Sequence, residues 1–242
     1  MRDPVADCAD TAAAWHASWL TALGLRSERR DSVWRALDPP PHIYWTAITL
    51  APEGSSSALA EAQGTLCDSW SVLDLEPFGF EERVREPWFL RLPGELAVVP
   101  DPPELEIVHI RSTAEVAEFE DISIRGFGSI VFGQSVSDPS KVEPGDLHPS
   151  SVLADPRMTM LTGRVDGAAV SAAMSYGTDR AVGIFGVTTI ESARGRGYAS
   201  ALTRALIDPA LPAVLSPSPE AESLYRRLGF GQVGELCQWH RN

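Results

Sequence analysis

The amino-acid sequence predicts an α/β fold, an α+β mixed sheet, with a smaller N-terminal α/β domain over residues 1–100 and a second domain over residues 104–242. Three observations predict it. From Leu105 to the end, apolar β-branched runs of strand length alternate with segments of helical periodicity. The stretch Val182–Ile207 passes from strand to helix through a polar, glycine-rich loop. Leu92–Pro103 (LPGELAVVPDPP) is dense in proline and turn residues, as linkers are.

Taken in order, Asp10–Leu25 carries alanine, tryptophan and leucine at helical spacing, with Asp10 or Thr11 as cap and Gly24 or the Arg26–Arg30 segment at its end. Trp15, Trp19 and Trp34 read as core or interface in preference to an aromatic cage. Beyond Asp38-Pro39-Pro40-Pro41, Ile43–Leu50 is rich in β-branched and aromatic residues and reads as a strand. Residues 53–57 read as a turn, 58–63 as a short helix, and Leu66–Leu75 and Trp88–Arg91 as strands. In the second domain Leu105–Ile110 is a strand. Thr113–Gly126 is a helix with Val116, Phe119, Glu120, Ile122 and Ser123 on its inner side. Residues 127–148 form a long Gly-, Pro- and Ser-rich excursion, a kind of loop that usually carries function. A short helix at Pro149–Leu153 follows, then a hairpin of Met158–Arg164 and Ala168–Tyr176 around Val165-Asp166-Gly167. Val182–Thr189 is the central strand. Tyr198–Ile207 is a helix with Ala199, Leu202 and Leu206 on one face, stopped by Asp208-Pro209. Ala213–Leu215, a helix capped by Ser218 with Pro219 at its first position, and a closing strand in Gly231–Arg241 complete the chain.

Composition excludes several classes of function. A net charge of −13 argues against nucleic acid as partner, because a phosphate-binding surface needs a basic field. No apolar run approaches the roughly 20 residues that span a bilayer. The acidic start MRDPVADCAD lacks an apolar signal core, so no membrane and a cytoplasmic location are expected. Cys8, Cys67 and Cys237 have neither a disulfide nor a zinc spacing and read as inert thiols.

The chemistry concentrates in the loop before Tyr198. A helix start offers unpaired N–H groups and the positive end of the macrodipole. Gly195 and Gly197 let the backbone approach an anion closely, and Arg194 and Arg196 add charge-assisted donors. This is a cradle for pyrophosphate. A mononucleotide P-loop is excluded because the chain has no Gly-Lys pair. A dinucleotide fingerprint is excluded because Gly195-Arg196-Gly197 is followed by Ser200 where glycine is required.

What remains, Arg194, Gly197 and Ala199 in R-x-x-G-x-A, resembles the acyl-CoA signature of the GNAT N-acetyltransferase superfamily. A second block in the family's order and spacing, Ala213–Phe230 (AVLSPSPEAESLYRRLGF), resembles its strand, helix and Y-x-x-x-G-F segment. The resemblance covers residues 104–242 well and the first hundred poorly. It implies the GNAT acyl-CoA N-acyltransferase fold there, with acetyl-CoA (coenzyme A) as donor and a small-molecule amine as acceptor. It also implies a gap between Val182–Thr189 and Ala213–Leu215 in which the donor lies. Val187 would polarise the thioester carbonyl through its N–H, and Tyr225 would act as general acid. Val187, Thr189, Arg194, Gly195, Arg196, Gly197, Tyr198, Ala199 and Ser216 would bind the donor. Homodimers are common in the family. Gly79-Phe80 precedes Trp88 and Arg91 much as Gly229-Phe230 precedes Trp239 and Arg241, which reads either as a diverged GNAT-like copy in the N-terminal half or as chance.

Glu120, Asp121, Glu191 and His148 are the candidate bases, and the sequence favours none of them over a structural role. A water-relayed base, or an amine arriving neutral, fits equally well. Two other functions compete with acetyl transfer: a silent acyl-CoA sensor and a nucleotide binder.

Overall fold

The computed structural model describes residues 3–53, 59, 61–96, 99–127, 145 and 147–241. The expected turn at 53–57 and the excursion at 127–148 fall largely outside these residues, and the short helix expected at 58–63 falls partly outside them. Among the described residues, one eleven-stranded mixed sheet joins both halves of the chain. Its strands are β1 (Ser27–Arg30), β2 (Val33–Ala36), β3 (Ala47–Thr49), β4 (Gly64–Asp68), β5 (Glu81–Arg91), β6 (Glu106–His109), β7 (Met158–Val165), β8 (Ala168–Gly177), β9 (Val182–Thr189), β10 (Ala213–Leu215) and β11 (Gly231–Arg241). They lie in the order β1-β2-β3-β4-β11-β5-β10-β9-β8-β7-β6. The helices described over their full length are α1 (Pro4–Ala22), α2 (Thr113–Phe127), α3 (Tyr198–Leu206) and α4 (Glu222–Arg227).

The period-2 alternation of the strands sends successive side chains to opposite faces, so two cores form. Trp88, Met160, Ala172, Met174 and Val214 face α1 and α2. Their chain neighbours Phe89, Leu161, Ala173, Ala213 and Leu215 face α3 and α4. A third cluster, with Val33, Leu59, Leu66, Leu75, Phe80 and Trp239, closes the N-terminal half. Trp19 and Trp34 are fully buried, and Trp15 stacks on Phe185 of β9 with ring centroids 4.6 Å apart.

From Glu106 onward the element order matches the expected one, including a 3-10 turn at Ser150–Ala154. The first half differs in detail. Helix α1 starts six residues before Asp10, because Asp3 accepts the Val5 N–H and Pro4 supplies a prearranged first turn. The helix ends at Ala22 with left-handed Gly24 just beyond it, as one reading had it, and Ser27–Arg30 pairs with Val33–Ala36 as the hairpin β1–β2. The strand expected over Ile43–Leu50 is only Ala47–Thr49. The strand expected over Leu66–Leu75 ends at Asp68, whose carboxylate gathers the N–H groups of Val72 and Leu73 and turns the chain. Ser218 does not cap α4 with its side chain: Ser218–Ala221 is a turn, and Ala221 holds the cap position.

The two sequence halves are interlaced. β3 runs parallel to β4 as β9 does to β10, and β2 and β8 flank them antiparallel. The closing strands β5 and β11, eleven residues each, are exchanged: β5 pairs with β10, β11 pairs with β4, and the two pair with each other. Each follows a Gly-Phe step whose glycine is left-handed (Gly79 φ +81°, Gly229 φ +88°) and whose phenylalanine is buried. Arg91 at the end of β5 packs on Gly229, and Arg241 at the end of β11 packs on Gly79.

Asp155 ties α1 to the sheet, accepting from Ser18 at 2.9 Å and from the Tyr176 hydroxyl at 3.1 Å. Burial works to raise its carboxyl, but hydrogen bonds from Arg157 and Ser18 override it and hold it down to about 2. A depressed carboxyl stabilises the fold above its unfolded value of 3.8 and loses that contribution as pH falls toward 2. Urea midpoints are expected to drop across this window, and Asp155→Asn to flatten the drop. Gly126 of α2 lies so close to β9 that a Cβ would come 2.1 Å from Thr188 Oγ1. Gly126→Ala is expected to destabilise by about 1–3 kcal/mol through overpacking, and Thr188→Ala in the same chain to restore most of it, read by urea unfolding.

Candidate active site

The site begins where two parallel strands part. β9 and β10 pair only at Ala213↔Val182 and Val214↔Gly183, so the remainder of β9 has no partner on that side. Within that remainder the register of β9 on β8 shifts between Phe185 and Thr188. Gly186, at φ +59°, takes the extra residue of this bulge. A bulge leaves a residue out of the ladder and re-aims the backbone beside it, here at Val187. Val187 is half-buried against the α3/α4 core. The Gly186 bulge is the feature that sequence reasoning missed. A glycine inside a strand pattern was the available signal.

β9 ends in a 3-10 turn, Glu191–Ala193, and the cradle loop follows. Gly195 (φ +77°) and Gly197 (φ +86°) are both left-handed, and Gly195, Arg196 and Gly197 are exposed. Helix α3 has no side-chain cap, and its first backbone bond is Ala201 N–H to Gly197 C=O. Among the described residues, the N–H groups from Gly195 to Ser200 therefore have no protein acceptor. Ala199 presents only a methyl group beside them. Such a concave row of amides at a helix start fits an anion.

The two arginines behave differently. Arg194, though exposed, folds back on the protein: its guanidinium donates to Thr189 C=O at 3.1 Å and to Gly126 C=O at 2.8 Å, latching the loop to β9 and to the end of α2. Arg196 stays exposed beside Glu104 and Tyr198. Tyr198 is a buried ring whose hydroxyl donates to Glu104 at 2.8 Å, leaving its N–H as the group it offers the loop. Thr189 is likewise engaged within the protein, its hydroxyl against Ser171 at 2.9 Å and its carbonyl on Arg194. The linker crosses here, with Asp101 paired to Arg204 and Pro102 against Gly197. A cleft of about 570 Å³ lies between Pro102, Glu104, Arg196, Gly197 and Arg204.

Across the gap, Ser216 follows β10 with a buried Oγ that has no hydrogen-bond partner. A buried hydroxyl without a partner is costly unless a ligand or water meets it. Tyr225 of α4 is buried, packs edge-on against Phe230 at 5.8 Å, and has the Thr203 hydroxyl as neighbour. Burial pushes the Tyr225 phenol well up, with Thr203 pulling slightly the other way, so it stays protonated and a donor.

The candidate bases separate. Asp121 pairs with Arg125 on the exposed side of α2, and Glu191 is exposed. Glu120 and His148 come together: Glu120 Oε2 lies 3.3 Å from His148 Nδ1, and both side chains are buried. Among the described residues, no group of His, Cys, Asp and Glu is arranged to hold a metal, and no helix is long and apolar enough to cross a membrane.

Parallel strands that part around a bulge, followed by a left-handed glycine loop and a helix start, define an acyl-CoA N-acyltransferase fold. Residues 131–230 match the model of the acetyltransferase (GNAT) family. No curated protein sequence matches the chain. Solved structures resemble nearly its whole length. A GCN5-related N-acetyltransferase from Kribbella flavida is 19% identical, with 94% of each chain covered and a TM-score of 0.62. One from Sphaerobacter thermophilus is 14% identical over 86% of this chain and 76% of its own, at 0.53. A functionally unknown conserved protein from Staphylococcus epidermidis is 15% identical over 89% and 93%, at 0.59. At these identities the likeness shows the fold, and it extends through the N-terminal half.

The contrast between the arginines is testable. Arg194→Ala, losing two bonds to main-chain carbonyls, is expected to cost on the order of 1–3 kcal/mol in urea unfolding. Arg196→Ala is expected to stay within about 0.5 kcal/mol of wild type.

Proposed function

We propose that the protein is an N-acetyltransferase moving an acetyl group from acetyl-CoA to the amine of a small molecule or amino-acid-like compound, by direct attack with both substrates bound. The observation that carries this is the row of unpartnered N–H groups from Gly195 to Ser200 at the end of a strand that has parted from its neighbour. Gly195, Arg196, Gly197, Tyr198 and Ala199 would hold the diphosphate through main-chain amides and the exposed Arg196 guanidinium. The unpartnered Ser216 Oγ and the unpaired edge of β9 suit the amides of the pantetheine arm, met as a strand meets a sheet edge.

Acetyl-CoA supplies an activated thioester, so no acyl-enzyme is required. The Val187 N–H would face the oxygen on which negative charge grows. Holding donor and amine together provides most of the rate. Tyr225, protonated in its dry position, would give a proton to the leaving sulfur. Arg194 serves by fixing the loop, and Thr189 by anchoring Arg194. The N-terminal half would act as a diverged GNAT-like domain without a cradle of its own. A cytoplasmic enzyme, acting on small molecules and not on nucleic acid or membranes and able to form a homodimer, completes the proposal.

The test is thiol release from acetyl-CoA with a panel of amines, alongside calorimetry with coenzyme A. Micromolar CoA binding and amine-dependent release are expected. Tyr225→Phe is expected to lower kcat by roughly 10–100-fold with CoA affinity unchanged. Binding without release for any amine would favour the sensor, and no binding heat would remove the cradle.

A further inference from the structure

A cleft that the proposed reaction does not use lies at the other end of β9. Val187 is at the parted end and Val182 at the paired one, five residues and about 16 Å away at 3.3 Å per residue. There Pro212 C=O accepts the Val182 N–H at 2.8 Å, and a cleft of about 1020 Å³ opens between Pro212, the residues after β5, the end of α4 and the start of β11. That is the volume of a site for a small molecule. Its walls are mostly apolar, with Leu92, Leu96, Val99, Leu228 and Val233 among them. Leu92 is 73% exposed and Val99 53%, and Leu92 is the most exposed large apolar side chain among the described residues. Scattered singly such residues mean little, but two on one concave wall mark a surface that a ligand would cover.

The rim of the cleft is fixed in advance. Arg91, 6% exposed, donates to the carbonyls of Leu92 at 3.1 Å, Gly94 at 2.7 Å and Glu95 at 3.0 Å. Left-handed Gly229 lies against the same guanidinium, its Cβ position 3.6 Å from Arg91 Nε. One buried cation thus holds residues 92–95 beside the end of α4, and a preformed rim lowers the cost of binding. Most of the other charged side chains here are committed. Asp3 caps α1 and accepts from Trp70 Nε1 at 2.6 Å, and Asp7 is the acid of that helix's first turn. Arg204 is paired with Asp101 and donates to Ser200 Oγ at 3.0 Å. Arg227, the last residue of α4, and Glu95 differ: both are exposed, and among the described residues neither side chain has a hydrogen bond or an ion pair.

We propose that this cleft is a second binding site, for an apolar zwitterion of about the size of a dipeptide. Its carboxylate meets the Arg227 guanidinium, its ammonium meets Glu95, and its apolar body covers Leu92, Leu96 and Val99. A ligand with a negative charge alone would leave Glu95 facing like charge, and one with a positive charge alone would do the same to Arg227. Val99 and Arg204 also line the cleft beside the cradle, so the occupant is a neighbour of the donor. It is not the acceptor, which must reach Val187 at the far end of β9.

The test is calorimetry with leucyl-leucine on the intact chain without acetyl-CoA, together with leucine and valine methyl NMR to locate the dipeptide. Saturable binding is expected, with shifts at Leu92, Leu96, Val99 and Val233. Leucyl-leucinamide lacks the carboxylate and N-acetyl-leucyl-leucine lacks the ammonium, and each is expected to bind about 3–5-fold more weakly. Arg227→Gln should abolish the difference between dipeptide and amide, and Glu95→Gln the difference between dipeptide and N-acetyl compound. Leu92→Ser should weaken all three by about 10-fold. The three side chains are exposed, so the variants should fold with Tm unchanged. No binding, methyl shifts confined to other residues, or an affinity that Leu92→Ser and Arg227→Gln leave unchanged would each overturn the proposal; the last is the outcome if the dipeptide sits at the acceptor site. The readout involves no acetyl transfer, so failure of that reaction would leave this result standing.

Discussion

The parting of β9 from β10 is the constraint on which the rest of the molecule depends. Parallel neighbours in a sheet interior ordinarily satisfy every main-chain group along their shared edge. Here they do so for two pairs and then separate, leaving Ile184–Thr189 held by β8 alone on one side. Two devices keep the gap from closing. The bulge at Gly186 bends β9 away, and β5 anchors β10 firmly on its other edge at Arg91, Leu90 and Phe89. Gly183, with no room for a Cβ against Phe185 and Thr11, sits where the strands last touch.

The surroundings of the gap are built in layers of decreasing openness. The amides of the cradle face solvent, Ser216 Oγ lies just inside, and Tyr225 is enclosed next to Thr203. Acidic residues approach the basic loop, Glu104 beside Arg196 among them. Asp101 is committed to Arg204 and Glu104 to Tyr198, while the Arg196 side chain remains at the surface. In a chain of net charge −13 this keeps one small positive region in a negative field.

What the sequence disclosed depended on the range of the interactions involved. The helix after Gly197, the hairpin around Asp166-Gly167 and the glycine loop were legible because their signals lie within a few residues. Ser27–Arg30 was not, since four polar residues show no strand alternation and only pairing with Val33–Ala36 makes them one. Arg194 was legible as a cation at the loop, but its partners Thr189 and Gly126 lie on two other elements. Glu120 and His148 were each visible as titratable residues. Their 3.3 Å approach across 28 positions was not. The short echo between Gly79-Phe80 and Gly229-Phe230 turned out to mark matching positions of two exchanged strands, a relation that no local pattern encodes.

That exchange bears on how the molecule is made. The strand that completes the sheet between β4 and β5 is β11, made long after both. Until it emerges, the earlier strands present open edges and an uncovered apolar side, so the nascent first half waits, exposed, for a strand synthesised about 140 codons after its own last one. Truncation within β11 would thus injure the opposite half of the protein.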